Sequence, residues 1–185
     1  MLLKILIVVA ILIIAFIILV ALQPSTFRVA RSATIAAPPE LLFAQVNDLH
    51  RWEAWSPWAK LDPAMTQTYD GPPAGVGASS AWSGNNKVGE GRMTITANRP
   101  AESVTVRLEF LRPMRGTSTA EFTFEPRGGH TLVTWTMTGD KNFPSKAFCL
   151  FANMDKMIGG DFEKGLAALK AVRESQATPA AAASN

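Results

Sequence analysis

The residues with the chemistry of general acids and bases fall on two neighbouring segments in the middle of the chain. Glu90 and Arg92 lie in one segment of alternating hydrophobicity, and Arg107 and Glu109 lie in the next. Carboxylates and guanidinium groups on strands can polarise a carbonyl or move a proton, as a cyclase requires. Alternation, however, places all four on the face opposite the apolar side chains, where they are expected to form exposed ion pairs. We therefore assign no catalytic residue, and the sequence favours a protein that is not an enzyme.

Other reactive groups are sparse. The two histidines, His50 and His130, lie far apart, and neither has a partner at the spacing of a metal site. The single cysteine, Cys149, lies among apolar residues, as a buried thiol does. Lys and Arg side chains are spread evenly among acids, with a formal net charge of +3, whereas nucleic-acid binding needs a basic cluster. The sequence therefore predicts no metal, no cofactor and no nucleic-acid partner.

The first segment of the chain is apolar and long. Residues 5–22 are eighteen consecutive apolar residues, which as a helix would extend about 27 Å and match a bilayer core. A secretory signal usually has a shorter apolar stretch and a small-x-small cleavage site, and Ala21-Leu22-Gln23 is a poor one. We therefore predict an uncleaved single-pass membrane anchor over residues 1–23. The positive charges on the two flanks of this segment are nearly balanced, so they do not indicate on which side of the membrane the rest of the chain lies.

Residues 24–175 have the pattern of one domain. Period-two alternation predicts seven short strands, and the first is separated from the rest by short helices that begin at Pro38-Pro39-Glu40. A long amphipathic helix follows from Met154, and Gly159-Gly160 within it indicates a close approach, a kink or a break. We predict an α+β helix-grip fold, a curved antiparallel sheet around the C-terminal helix. The uncharged segment 176–185 is predicted to be disordered.

Three stretches of this domain resemble the START-like (SRPBCC) superfamily, in its branch for polyketide cyclase/dehydrase and lipid transport. The resemblance covers nearly the whole domain, and the layout of anchor plus domain is similar to that of membrane-tethered members. It implies the helix-grip fold but no single activity, because the superfamily includes lipid carriers, receptors, cyclases, oxygenase subunits and chaperone activators. The stretches are RSATIAAPPE (31–40) with VNDLHRWEAWSPW (46–58), WSGN (82–85) with VGEGRM (88–93), and MDKMIGGDFEKGLAALK (154–170).

The resemblance further implies a cavity between the sheet and the long helix that holds an apolar ligand. Aromatic and methionine side chains suit such a pocket, although the same residues suit a closed core without a ligand. The expected partner is a hydrophobic small molecule or a lipid. The cavity-lining candidates are Trp82, Met93, Ile95, Leu108, Phe110, Phe122, Trp135, Met137, Met154, Met157, Ile158 and Phe162.

Two local features have alternative interpretations. Trp52, Trp55 and Trp58 form either a gate over the pocket, a contact with the bilayer interface, or a satellite core at one end of the sheet. Residues 112–115, Arg-Pro-Met-Arg, lie in a predicted hairpin loop, which is either simply solvated or a contact for anionic head groups. We favour the core for the tryptophans and a solvated loop for residues 112–115.

Three functions are consistent with these observations. The favoured one is membrane-tethered binding, by a carrier or sensor, of a hydrophobic molecule or lipid. A cyclase or dehydratase acting on a polyketide-like substrate would instead require an ionisable residue inside the cavity. A regulatory module with a membrane protein partner would require a closed core and an exposed apolar patch.

Overall fold

The structure is a computed structural model of the chain and describes residues 1–177. Residues 178–185, most of the segment predicted to be disordered, lie outside the described residues, whereas the last helix continues to Ala177. The helices are α1 (Leu2–Ala21), α2 (Pro39–Val46), a 3-10 helix (Leu49–Ala54), α3 (Phe143–Cys149) and α4 (Met154–Ala177). The strands are β1 (Thr26–Ile35), β2 (Thr66–Asp70), β3 (Ser79–Ser83), β4 (Glu90–Arg99), β5 (Ser103–Arg112), β6 (Gly116–Arg127) and β7 (His130–Asp140).

All seven strands join one antiparallel sheet in the order β1-β7-β6-β5-β4-β3-β2. Five of the six neighbouring pairs are hairpins, because β2 to β7 follow one another along the chain with short turns between them. The exception is β1, which reaches the sheet edge beside β7 and there contacts α4. The predicted α+β helix-grip fold, with a curved sheet and a long C-terminal helix, is confirmed.

The register gives the sheet two distinct ends. We call the end where β1 begins the anchor end, after the anchor predicted from residues 1–23. Thr26 follows α1 closely there and pairs with Asp140, the last residue of β7. The pairing of Phe110 with Gly116 brings the β5–β6 turn to this same end. The pairing of Ser83 with Glu90 does the same for the β3–β4 turn. The opposite end, where β1 finishes, we call the far end.

The far half of the sheet is packed as a solid core. Inward side chains there are buried against α2 and the 3-10 helix, which contribute the buried side chains of Leu42, Val46 and Leu49. Complete burial of each such side chain stabilises the fold by about 1.5–3 kcal/mol relative to an exposed one. This core contains Ile35, Leu42, Val46, Leu49, Ile95, Val104, Val106, Phe122, Phe124 and Val133.

Helix α4 passes through its glycine pair without a break. A Cβ atom at Gly159 would overlap the guanidinium of Arg31, which crosses from β1 to this helix. Farther along, a Cβ at Gly165 would lie 2.8 Å from Cζ3 of Trp135. Of the three interpretations of Gly159-Gly160, the structure therefore supports the close approach. Helix α3 is an element that the sequence pattern did not predict, and on it Cys149 is half-buried rather than buried.

Candidate functional site

An apolar cavity of about 340 Å³ lies between the anchor half of the sheet and the segment that joins the 3-10 helix to β2. Strands β2 to β7 form its wall and floor, and residues 52–65 together with the two turns at the anchor end form its cover and rim. It is lined by Trp52, Glu53, Ser56, Trp58, Ala59, Met65, Gln67, Trp82, Asn86, Lys87, Val88, Gly89, Met93, Leu108, Phe110, Arg112, Pro113, Ala120, Trp135 and Met137.

The cavity begins where the solid core ends. Along the inward face of β5, Val106 is completely buried, whereas Leu108 and Phe110 are only partly buried. The inward face of β4 shows the same change from buried Ile95 to partly buried Met93. These residues point towards the core side of the sheet, so their remaining exposure comes from the cavity that they line.

An aromatic stack separates the cavity from the C-terminal helix. Trp135 of β7 stacks on Phe162 of α4 with ring centroids 4.0 Å apart and an interplanar angle of 7°. Trp58 stands edge-on to Trp135 at 5.7 Å. These rings fill the space between sheet and helix, so no α4 residue in the described part of the chain lines the cavity. The expected cavity between sheet and helix is thus displaced towards the segment 52–65, and α4 supports its floor from behind.

The structure brings half of the twelve candidate residues together at this cavity. Ile95, Phe122 and Phe162 are instead fully buried in the core. On α4, Ile158 packs against that core, and Met154 and Met157 are partly buried and exposed, respectively. Phe162 does not reach the cavity because Trp58 and Trp135 stand between, and Met157 is exposed to solvent instead. Those that line the cavity are Trp82, Met93, Leu108, Phe110, Trp135 and Met137.

The polar rim of the cavity is what sequence reasoning missed. Glu53 lies in the short 3-10 helix, and Asn86, Lys87 and Arg112 lie in a turn or at a strand end, where no periodic pattern indicates which way a side chain points. The side chain of Arg112 is held in place by a hydrogen bond that its Nη2 donates to the carbonyl oxygen of Gly84 at 2.6 Å. The only hint in the sequence was the position of this arginine in a predicted hairpin loop.

Trp52 and Trp55 belong to the main core rather than to a satellite, and Trp58 is partly buried against that core and lines the cavity. Trp52 and Trp55 are 5% and 1% exposed, and each ring contacts Phe122 and Trp135. Trp52 donates its Nε1–H to the carbonyl oxygen of Val46 at 2.9 Å. Being buried, Trp52 and Trp55 offer no contact to a bilayer interface. They hold the segment 52–65 against the sheet and so fix the cover of the cavity.

The acid–base candidates lie outside the cavity. Arg107 and Glu109 form an exposed pair along one strand, with Nη2 and Oε1 3.1 Å apart. Glu90 lies 3.7 Å from Nε of Arg112 at the rim, and Arg92 is exposed. None of these four residues lines the cavity. Among residues 1–177, no group of three or more His, Cys, Asp or Glu side chains is placed to hold a metal ion.

Outside the cavity, three side chains in the described part of the chain have shifted pKa values. The side chain of Arg31 donates to Asp155 (2.9 Å) and to Glu163 (2.7 Å), which raises the pKa of Arg31 and lowers the pKa of Asp155. Burial raises the pKa of Tyr69, whose ring stacks on His50 at 3.9 Å. These groups lie on the α4–β1 contact and beside the 3-10 helix, and none of them lines the cavity. The shifted pKa values of these residues therefore bear on the stability of the fold and not on a reaction in the cavity.

Solved structures with this fold are similar over most of the chain. A protein from Thermobifida fusca is 24% identical, with 77% of this chain and 90% of that one covered and a TM-score of 0.57. The protein Mll3558 from Rhizobium loti is 18% identical, with coverage of 79% and 96% and a TM-score of 0.59. Protein CV1439 from Chromobacterium violaceum is 16% identical, with coverage of 81% and 97% and a TM-score of 0.56. At these identities the likeness establishes the fold alone.

Sequence comparison identifies the family. The chain has no match among curated proteins. The model of the family described as polyketide cyclase/dehydrase and lipid transport matches residues 26–174, which include every strand of the sheet and all but the end of α4. The START-like resemblance seen in the sequence is confirmed. The chain therefore belongs to the polyketide cyclase/dehydrase and lipid transport family.

Proposed function

We propose that this protein binds a hydrophobic small molecule or lipid in the cavity beneath residues 52–65 and holds it at a membrane without chemical change. The observation that supports this most is the composition of the cavity wall. Aromatic and methionine side chains form its interior, and charged groups occur only at its rim. A volume of about 340 Å³ lies within the range of small-molecule pockets.

The apolar interior suits a chain-like or ring-like apolar ligand. Burial of about eight to ten methylene groups would contribute about 6–8 kcal/mol, at about 0.8 kcal/mol each. Part of this is offset by the entropy that the ligand loses on binding. Such a ligand would bind with micromolar affinity at best, which suits a molecule that must be both taken up and released. Met65, Met93 and Met137 in the wall provide adaptable contacts for ligands of different shape.

Helix α1 supplies the membrane tether in this proposal. It is the one helix among the described residues that is long and apolar enough to cross a bilayer, and of its residues only Val20 is buried by the protein. A helix with apolar residues on every side must find an apolar environment elsewhere. Tethering would keep the cavity close to the bilayer, where the effective concentration of a lipid is high.

The same geometry gives the enzyme alternative little support. That alternative requires an ionisable side chain inside the cavity, and Glu90, Arg92 and Glu109 all lie outside it. The charged residues that do line it, Glu53, Lys87 and Arg112, belong to the rim and are exposed to solvent. Such groups suit the recognition of a polar head rather than chemistry on a buried substrate.

The proposal is tested with the full-length chain purified from cell membranes in mild detergent. Native mass spectrometry and organic extraction would identify any molecule that it retains. Two substitutions on one strand provide the comparison, because Met93→Trp fills the cavity and Arg92→Trp adds the same ring to the exposed face. Circular dichroism would confirm that both variants fold.

We expect the unmodified chain and the Arg92→Trp variant to retain an apolar molecule. The Met93→Trp variant should retain at least about tenfold less, the change that corresponds to about 1.4 kcal/mol of binding free energy. Equal retention by both variants would place the molecule outside the cavity. An empty unmodified chain that also ignores added palmitic acid and added isoprenoid alcohol would contradict the proposal.

A further inference from the structure

The cavity opens at the anchor end of the sheet. Its rim includes residues 86–89 of the β3–β4 turn and residues 112–113 at the β5–β6 turn. Register places both turns at the end where β1 begins, a few residues after α1. Its floor, in contrast, includes Ala120 and Trp135, which lie nearer the middle of their strands and are almost completely buried. The mouth of the cavity and the tether therefore share one end of the domain.

Basic residues are concentrated in the connections at this end. The β3–β4 turn (84–89), the β5–β6 turn (113–115) and the connection from β7 to α4 (141–153) contain four basic residues and no acid. The hairpin turns of the far end, 71–78, 100–102 and 128–129, contain one acid and no basic residue. The four basic residues at the anchor end are Lys87, Arg115, Lys141 and Lys146.

The acidic residues near the anchor end do not cancel the positive charge of these four basic residues. Glu90 lies 3.7 Å from Arg112, a fifth basic side chain, so these two charges balance. Asp62 is buried, and its carboxylate accepts hydrogen bonds from the backbone N–H groups of Ala64 (3.0 Å) and Asn85 (2.7 Å). Asp140 at the end of β7 and Glu53 at the cavity rim are exposed acids, and Asp155 at the start of α4 is paired with Arg31. The anchor end therefore presents net positive charge.

Large apolar side chains are exposed on this same end. Phe151 is 84% exposed, and further apolar side chains that are more than two-fifths exposed lie in the β5–β6 turn region and on α3. Several large apolar side chains exposed on one end of a domain are typical of a contact site. Phenylalanine and methionine between lysines and arginines form the composition that binds the interface of a bilayer. The other exposed side chains of this group are Leu111, Met114, Phe143 and Phe148.

Helix α3 places this exposed surface beside the last turn of α1. It packs against α1, whose residue Val20 is completely buried in the last turn of the helix. Lys146 of α3 donates from Nζ to the side-chain oxygen of Ser25 at 3.1 Å, and Lys141 donates its backbone N–H to the carbonyl oxygen of Ser25 at 2.7 Å. With α1 in a bilayer, its last turn lies at the head groups, and α3 lies beside it.

We propose that the anchor end of the domain docks on an anionic phospholipid bilayer and turns the cavity mouth towards the lipid. Phe143, Phe148, Phe151 and Met114 enter the interface, and Lys87, Arg115, Lys141 and Lys146 pair with lipid phosphates. A hydrophobic ligand then passes between bilayer and cavity without crossing water. This inference rests on the tether and the cavity of the proposed function and adds the surface and the lipid charge that orient the domain.

The full-length chain reconstituted in vesicles provides the test. In a Cys149→Ala background, a nitroxide label is placed at Met114→Cys in the β5–β6 turn, or at His130→Cys at the far end as the matched control. Vesicles contain phosphatidylcholine alone or with about one-third phosphatidylglycerol. Relaxation by oxygen, which partitions into lipid, and by a water-soluble nickel chelate reports the depth of each label.

We expect the Met114→Cys label to be accessible to oxygen and protected from the nickel chelate in the anionic vesicles, with less protection as salt is raised. The label at His130→Cys should stay accessible to the chelate in both kinds of vesicle. Combined Lys87→Gln, Arg115→Gln and Lys146→Gln substitutions should lower the ratio of docked to free domain roughly a hundredfold, since each basic residue near such a surface contributes about a factor of five. The pair Arg99→Gln and Arg127→Gln, at the far end, should leave the ratio unchanged.

Equal exposure of the two labels to the chelate in anionic vesicles would overturn this inference. Docking that is as strong in phosphatidylcholine alone would overturn the assigned role of the basic residues. The Met93→Trp substitution separates this inference from the proposed function, because it fills the cavity and leaves the docking surface intact. Met93→Trp should therefore dock without a retained molecule. In the unmodified chain, docking without a retained molecule would contradict the proposed function alone, and a retained molecule without docking would contradict this inference alone.

Discussion

Arg31 shows how a residue that breaks the alternation of a strand can serve the fold. Its position in β1 points it to the face shared with Val29 and Ala33, where a charge has no place unless it is paired. Asp155 and Glu163 of α4 provide the partners, at 2.9 Å and 2.7 Å. The pairing joins the first strand to the last helix, and the sequence contained no signal for it, because the residues are more than a hundred positions apart.

The ion pair predicts how stability depends on pH. Since Arg31 lowers the pKa of Asp155 in the folded state, the carboxylate stabilises the protein at pH values above the ordinary Asp pKa of about 3.9. This contribution is lost as pH falls from there through the lower folded pKa. We expect the Asp155→Asn substitution to flatten the fall in unfolding free energy below about pH 4.5. Urea unfolding of the full-length chain at a series of pH values measures the slope.

A double-mutant comparison provides the control for this prediction. In an Arg31→Met background the pairing is already absent, so adding Asp155→Asn should change the slope little. An unchanged slope for Asp155→Asn in the native background would show that the pairing contributes nothing measurable in solution. That result would be typical of exposed ion pairs and would contradict the role given to Arg31 here.

Around the cavity, the period-two alternation of the strands predicted the residues of the wall but not those of the rim. Met93, Leu108 and Phe110 were assigned to the inward face correctly, because the pattern of a half-buried strand has a strict period of two. Alternation did not distinguish them from Ile95 and Phe122, which share the same face but lie in the solid core. That distinction depends on what covers each half of the sheet, and coverage is a property of tertiary packing.

At the scale of elements, the strands were the most predictable. All seven expected strands are present, and β2, for example, ends at Asp70 because Gly71-Pro72-Pro73 follows it. Helix α3 was missed, because seven residues with a proline at the second position give too short a pattern for a helix. The long helix was expected to line the cavity, but the rings of Trp58 and Trp135 occupy that space. Element type was therefore more predictable than element placement.

The glycines of α4 allow a matched prediction at this scale. A Cβ atom at Gly160 would meet nothing within 4 Å, so Gly160→Ala should stabilise the protein by about 0.5–1 kcal/mol through helix propensity. A Cβ at Gly165 would lie 2.8 Å from Trp135 and 3.1 Å from Pro57. Gly165→Ala should therefore lower stability despite the same gain in propensity. Thermal unfolding of both variants measures the difference.

The expected changes in melting temperature have opposite signs. A change of about 1 kcal/mol shifts the midpoint of a domain of this size by roughly 2–4 °C. A rise for both variants would mean that the contact of α4 with Trp135 is looser than described. Because Trp135 is also the floor of the cavity, Gly165→Ala should in addition weaken ligand retention, whereas Gly160→Ala should not.

At the scale of the whole molecule, the chain combines an apolar N-terminal helix with a family domain whose cavity has an apolar interior. The fold and the family followed from the sequence, since strand alternation, the long amphipathic helix and three recognisable stretches all agreed. The orientation of the cavity did not follow, because it depends on strand register across the entire sheet. Register also brings the end of α1, the basic turns and the rim of the cavity to one end.

The central claim is that the cavity beneath residues 52–65 holds a hydrophobic molecule. The most direct test is photolabelling of the full-length chain in membranes with a palmitic acid that carries a diazirine, followed by peptide mapping of the crosslinked residues. The account predicts crosslinks on β4 and β5 at or next to Met93 and Leu108, and their loss in the Met93→Trp variant but not in the Arg92→Trp variant. Crosslinks confined to α1, or spread evenly over exposed residues in every variant, would contradict it.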